Sequence, residues 1–288
     1  MSIYDNKKEL LDSLSIKENF LYGDFSNKFT EKRISKRSGG ERIINPPKKK
    51  LKDIQRTILD VILKQINYLP CVYGLTSQTN IFENAKQHQK NSDKYILLID
   101  IKDFFPSVNV DKVTRLYKKI GFNKENSKIL AKLCTFNKCL PQGSPTSCHL
   151  ASLCMESLDK KIYQYCNHKK LVFTRYIDDI TISGDTISDK EIDYIETLIK
   201  KDGYYLNNKK ALLLPGDEKI LNNLHIFNNK IIVPHKYIQE LTLLFDKYKK
   251  NDDQTDYSRF IGKLGFYIFI NKHEATKFFE KLRLKMRD

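Results

Sequence analysis

Apolar positions recur at two different periods along this chain, and the switches between them lay out its elements. Leu10, Leu11, Leu14 and Ile16 fall at roughly helical spacing and predict a helix over 7–22. A cleaner stripe of Leu51, Ile54, Ile58, Leu59, Ile62 and Ile66 predicts another over 51–68. Between them, 33–36 and 42–45 read as the strands of a hairpin turning at Ser38-Gly39-Gly40 and ended by Pro46-Pro47. Asn84 and His88 stand four apart, the spacing of one helical face. Ile96 to Ile99 are four consecutive apolar residues closed by Asp100, the pattern of a buried strand delivering a carboxylate at its end. Helices are expected over 108–120 and 126–136. One long amphipathic helix is expected over 146–165, with Ser and Thr caps and a stripe of Leu150, Leu153, Leu158 and Ile162. Two β-rich runs, 171–175 and 180–184, flank Tyr176-Ile177-Asp178-Asp179 and predict a hairpin with both aspartates at its tip. A helix over 188–201 stops before Gly203, in the manner of a C-cap. Residues 204–206 and 211–214 read as a strand pair around Asn207-Asn208, and 224–233 as a hairpin turning at Asn228-Asn229. From 236 onward the period is helical, in segments 237–249, 256–271 and 274–287.

Composition gives this string of elements a partner. Hydrophobic residues are 40% of 288, enough for a packed core, and the net charge of +16 points to a polyanion. The charge is concentrated: between Lys28 and Arg56 lie eleven Lys or Arg against three acids, interrupted by Gly39-Gly40 and Pro46-Pro47, a loop-rich surface suited to phosphates. Six cysteines form no CxxC pair and have no histidine at ligand spacing, which argues against zinc and for buried thiols in a reducing compartment. The first residues lack the apolar core of a signal peptide, and no apolar run approaches the ~18 residues that span a bilayer. A soluble cytoplasmic protein without membrane partners is expected.

Two carboxylate sites carry the chemistry. Adjacent Asp178 and Asp179 repel each other, and a hard cation relieves that repulsion. An isolated Asp-Asp is ordinarily a polar turn; Asp100, at the end of a second buried strand, changes the balance. If the strand lies beside the hairpin, Asp100 and Asp178 can share two divalent ions. Ions about 3.5–4 Å apart activate an attacking hydroxyl and stabilise the leaving oxygen of an in-line displacement.

Read together, the blocks resemble a reverse transcriptase, and within that family the bacterial retron type. Asp100, Phe104 and Phe105 match the first catalytic motif, Leu140-Pro141-Gln142-Gly143-Ser144-Pro145-Thr146-Ser147 the second, and Tyr176-Ile177-Asp178-Asp179 the catalytic hairpin. Gly203 and Leu206-Asn207-Asn208-Lys209-Lys210 match the lysine-bearing segment, while 36–42 and 51–56 match the fingers region. Asn84-Ala85 with His88 resembles a pattern enriched in retron enzymes. The matches keep family order from about Phe29 to Lys210. The resemblance implies an α+β right-hand polymerase with a ferredoxin-like palm, β-hairpin and helical fingers and a helical thumb. The fingers would cover 1–70, the palm with the remaining fingers helices 71–222, and the thumb 223–288. It implies an RNA-directed DNA polymerase that uses deoxynucleoside triphosphates, with two Mg²⁺ held by Asp100, Asp178, Asp179 and the backbone carbonyl of Ile101. Arg42, helped by Lys36, would contact the triphosphate. Phe105 would exclude a 2′-hydroxyl, Gln142 would lie near the sugar and Lys210 would protonate pyrophosphate. Asn84, His88 and Lys263 would contact a dedicated structured noncoding RNA, in an antiphage setting with an effector protein encoded nearby. Two departures stand out: Leu221-Asn222-Asn223 where retron enzymes commonly show Val-Thr-Gly, and Ile177 where alanine is commoner. The alternatives are another defence-associated reverse transcriptase without a branched RNA–DNA product, or a catalytically idle RNA-binding module.

Overall fold

The computed structural model of the chain describes residues 6–35, 40–207, 211–251 and 254–284. Helix α1 (Lys7–Ser13) opens at Asn6, whose side chain accepts the Glu9 N–H. It closes well short of the expected 22, because Ser15 takes φ +53° and only a 3-10 turn follows at Glu18–Leu21. Strands β1 (Lys32–Ser35) and β2 (Glu41–Ile44) pair antiparallel as an exposed ribbon, with Lys32 opposite Ile44. Of the predicted turn, only Gly40 belongs to the described residues. Helix α2 (Lys49–Val61) buries Leu51, Ile54 and Ile58, then tightens into a 3-10 turn at Leu63–Gln65 instead of running on to 68.

The central sheet is built from β3 (Val72–Tyr73), β4 (Tyr95–Lys102), β5 (Val172–Tyr176), β6 (Asp179–Gly184), β7 (Tyr205–Leu206) and β8 (Ala211–Leu213). Its order is β3-β5-β6-β4-β7, with β8 also pairing β4. Helix α3 (Ile81–His88) precedes β4. After β4 come α4 (Val110–Ile120), α5 (Lys124–Cys134), α6 (Ser147–Cys154) and α7 (Glu156–His168), and α8 (Asp189–Lys201) follows β6. Two expectations fail here. The single helix over 146–165 is broken at Met155, where Ser152 turns its hydroxyl and carbonyl toward Arg175 at 3.3 and 3.4 Å. The strand pair over 204–214 does not form among the described residues either: β7 and β8 each run antiparallel to β4 as successive pieces of one interrupted edge strand.

Strand β4 has protein on both faces, which is why its sequence reads as an unbroken apolar run. Leu97, Ile99 and Ile101 enter the main core, while Ile96 and Leu98 face a second core. That second core is closed by the three-stranded sheet β9 (Lys219–Leu221), β10 (Leu224–Phe227) and β11 (Lys230–Ile232), and by α9 (His235–Asn251), α10 (Gln254–Ile270) and α11 (Lys272–Leu284). Both turns of this sheet are Asn-Asn pairs at positive φ, Asn222-Asn223 (+47° and +68°) and Asn228-Asn229 (+47° and +56°), a conformation asparagine tolerates. The expected 222/223 boundary therefore falls inside a hairpin turn. No helix among the described residues is long and apolar enough to cross a membrane.

Candidate active site

Strand register brings the carboxylates together. In the β4–β6 pair Asp100 stands opposite Asp179, and the Ile101 N–H donates to the Asp178 carbonyl at 3.2 Å. Tyr176 and Asp179 close the β5–β6 hairpin, leaving Ile177 and Asp178 as a two-residue turn. Ile177 adopts φ +58°, a left-handed conformation that costs a β-branched residue roughly 1–3 kcal/mol and persists only where its surroundings over-determine it. They do. Arg175 Nη1 donates to the Ile177 carbonyl at 2.6 Å, and the same guanidinium forks onto Asp159 at 2.8 and 2.6 Å. Both partners of this ion pair are completely buried. Beneath the tip, Gly74 at φ +89° leaves the space; a Cβ there would stand 3.0 Å from Ile177 Cγ1 and 3.1 Å from the Tyr176 ring.

The electrostatics suit a divalent cation. Burial pushes the Asp178 carboxyl up; its own backbone N–H pulls it down, the Asp100 charge raises it and the Arg42 and Arg175 charges lower it. Asp179 is pushed up to about 6, chiefly by burial and then by Asp178 and Asp100, against an opposing hydrogen bond from Asn222. Buried carboxylates that resist ionising side by side are relieved by a hard ion, so the all-oxygen donor set fits Mg²⁺. Among the described residues no three His, Cys, Asp or Glu side chains converge tightly enough to enclose an ion by themselves. The site is an open edge that substrate oxygens would complete, as Mg²⁺ sites commonly are.

Amides hold two of the three carboxylates. Asn207 Nδ2 donates to Asp100 Oδ2 at 2.7 Å, and its backbone N–H donates to the Asp100 carbonyl at 2.9 Å. Asn222 Nδ2 donates to Asp179 Oδ2 at 2.8 Å. Asp100, Asp179, Ile220 and Asn222 line a cleft of about 160 Å³. A larger cavity of about 420 Å³, lined by Lys112, Arg115, Lys119 and Lys201, contains none of the three carboxylates, so size does not mark the chemistry.

The remaining expected residues fall in several places. Arg42 lies exposed on β2, near enough for its charge to bear on Asp178. Phe105 is half-buried and tilted against Phe104, ring centroids 5.4 Å apart. The Gln142 carbonyl accepts the Asn45 N–H at 2.8 Å, which ties the ribbon to the second motif, and its buried side-chain oxygen has no hydrogen-bond partner among the described residues. Ile101 buries its side chain in the core, so its backbone alone is available to an ion. Lys263, on α10, is engaged by Glu240 at 2.7 Å and lies over the Tyr237 ring. Lys36 and Lys210 lie outside the described residues.

Asn84 and His88 require correction. Both are fully buried and cannot touch an RNA. His88 Nδ1 lies 2.7 Å from Ser183 Oγ and Nε2 lies 2.8 Å from Thr174 Oγ1, so the ring satisfies hydroxyls of β5 and β6; burial drives its pKa down to about 3. Sequence reasoning missed Arg175, Asp159 and Asn222. An arginine two residues before the hairpin turn, in a run otherwise fit for a buried strand, was the available signal, since a buried guanidinium needs a carboxylate.

Comparison with known proteins gives this geometry relatives. A family model described as reverse transcriptase (RNA-dependent DNA polymerase) matches residues 34–226. The chain is 32% identical over 203 residues to the Retron Ec86 reverse transcriptase of Escherichia coli, an alignment covering 69% of this chain and 63% of that protein. It is 26% identical over 275 residues to the Retron Ec83 reverse transcriptase of Escherichia coli, covering 88% and 85%. The Retron Mx65 reverse transcriptase of Myxococcus xanthus is 28% identical over 200 residues, covering 62% and 46%. Among solved structures, telomerase from Candida albicans in complex with the TWJ fragment of telomeric RNA superposes with a TM-score of 0.54 at 12% identity, covering 92% of this chain and 58% of that one. At that identity the likeness is one of fold.

Proposed function

Because the chain belongs to the reverse transcriptase family, and within it to the bacterial retron-type group, we propose that it is an RNA-directed DNA polymerase that copies a structured noncoding RNA in a retron antiphage system. The observation that carries the reading is the register of Asp100 against Asp179 with Asp178 at the adjoining turn. In right-hand terms, the β1–β2 ribbon and α2 serve as fingers, the central sheet as palm and α9 to α11 as thumb. Asp100, Asp178 and Asp179, with the Ile101 carbonyl, would hold two Mg²⁺, which when bound supply activation of the primer 3′ hydroxyl and neutralisation of the triphosphate. The chain's own groups do the rest. Arg42 meets the triphosphate from the ribbon; Phe105 packs where a 2′-hydroxyl would stand; the partnerless Gln142 side-chain oxygen accepts from the nucleotide sugar. The buried Arg175–Asp159 pair keeps the aspartate-bearing turn from relaxing, so the rate enhancement comes from fixed geometry and charge.

Asp178→Asn tests the reading. It keeps the side-chain size and removes the charge that offsets ion dehydration. Primer extension on poly-rA/oligo-dT should fall at least ~10³-fold, the scale of losing a key electrostatic group. Affinity for the template–primer, which rests on cations elsewhere, should hold. Retained DNA synthesis would overturn the assignment.

A further inference from the structure

Asp179 is connected to the second core by two hydrogen bonds in series. Asn222 Nδ2 donates to Asp179 Oδ2 at 2.8 Å, and Asn84 Nδ2 donates to Asn222 Oδ1 at 2.9 Å. Chemistry fixes the sense of both bonds. A carboxylate bound to a cation only accepts, so Asn222 must present its NH₂ group to Asp179; its carbonyl then faces Asn84, which must donate. Aspartate at either position would set acceptor against acceptor. The relay is also rigidly mounted: Asn84 is completely buried on α3, and Asn222 sits in a turn whose flanking Leu221 and Leu224 are buried in the second core. The other turn of the same sheet docks on the same region, with Asn229 Oδ1 accepting from Ser92 Oγ at 3.2 Å and its N–H donating back at 3.1 Å. The strand pleat explains why the relay reaches this carboxylate. Ile180 and Ile182 of β6 face the main core, so Asp179, Thr181 and Ser183 project to the opposite face, where α3 and the β9–β11 sheet lie.

We propose that Asn222 is a positioning residue for Asp179, itself held by Asn84, so that the carboxylate is set for a cation only while the β9–β11 sheet is docked on α3. The inference rests on the two-metal reading above. One carboxylate oxygen is pinned by the amide while the other accepts no hydrogen bond among the described residues, and Asn207 does the same for Asp100. The two segments that meet, 138 residues apart in sequence, are the one that resembles a retron-enriched pattern and the one that departs from the retron triplet. On this account the departure is a substituted part of the catalytic support, and the Asn84 segment has its role inside the protein.

The test uses Asn222→Gly, because glycine accepts the positive φ of the turn and deletes only the amide. Binding of Mn²⁺ to the full chain is followed by electron paramagnetic resonance of the free ion, with template–primer Kd and Tm measured beside it. Asn222→Gly should weaken Mn²⁺ binding about tenfold or more, the scale for losing a partner of a metal ligand, and should raise the Mg²⁺ needed for half-maximal extension. Template–primer Kd and Tm should stay within about twofold and a few degrees of wild type. Asn84→Ala should act in the same direction, and Asn84→Ala/Asn222→Gly should be no worse than Asn222→Gly alone, since the two residues act in series. Wild-type Mn²⁺ affinity in Asn222→Gly, or independent multiplying effects in the double variant, would overturn the relay. Asp178→Asn run in parallel separates the two claims. If it leaves Mn²⁺ binding intact, the metal reading itself fails; if it abolishes binding while Asn222→Gly does not, the relay alone fails.

Discussion

Asp179 keeps its proton up to about pH 6, because burial and the neighbouring Asp178 and Asp100 charges all oppose its ionisation. A cation that binds must displace that proton, so metal affinity falls as pH drops through this value and is flat well above it. The Mg²⁺ concentration for half-maximal extension should therefore climb about tenfold per pH unit below 6. Saturating Mg²⁺ should push the acid limb of the activity profile downward; a limb indifferent to Mg²⁺ would place the controlling group elsewhere. The meeting of Asp100, Asp178 and Asp179 was legible in the sequence because Asp100, ending a second apolar strand, offset the ordinary turn reading of Asp178-Asp179. His88 was not legible. Spacing of four puts Asn84 and His88 on one helical face, but nothing local says whether that face meets solvent or, as here, the hydroxyls of Thr174 and Ser183.

At the scale of elements, the β5–β6 hairpin depends on a charge pair that its own sequence does not contain. Asp159 lies on α7, sixteen residues before Arg175. Asp159→Asn would leave a guanidinium with no exposed surface and no counter-charge, a change that typically costs about 3–5 kcal/mol. Urea denaturation should show that loss, and the folded fraction should extend primers more slowly because the Ile177 carbonyl loses a well-braced donor. A change below about 1 kcal/mol would mean the pair is dispensable. The same guanidinium explains an error of element reading: the leucine stripe over 146–165 is continuous, yet the helix breaks where Ser152 turns to Arg175. The 204–214 segment misled for a different reason. Two short apolar runs around an Asn-Asn look like a hairpin, and only the tertiary fold shows both runs lying against β4.

Across the whole molecule, the +16 charge supplies affinity for any polyanion, with steep salt dependence and little selectivity. A dedicated RNA adds contacts that depend on shape. Expressed from its native locus, the protein should co-purify with one structured RNA that survives moderate salt and carries a DNA strand joined through a 2′-linked guanosine. Heterogeneous RNA that washes off would remove the dedicated partner, and a single RNA whose DNA has a free 5′ end would move the enzyme to another defence group. The three C-terminal helices were readable from periodicity alone. Their sheet's attachment to α3 was not, since it joins residues as far apart as Asn84 and Asn222 through side-chain amides that no periodic pattern marks.

The interrupted edge strand carries a rule about chain length. Leu206 pairs with Ile101 and Leu212 with Leu97, so six steps along the edge answer to four along β4. The surplus is two, an even number, which is why Leu206 and Leu212 both return to the main core while Leu213 reaches the second. The pairing of β8 itself tolerates no slip of one: moving the strand by a single residue along β4 would exchange Leu212 and Leu213 between two different interiors. One short edge strand is thereby locked by the two cores it touches, a constraint written in the pairing and invisible in residue identity.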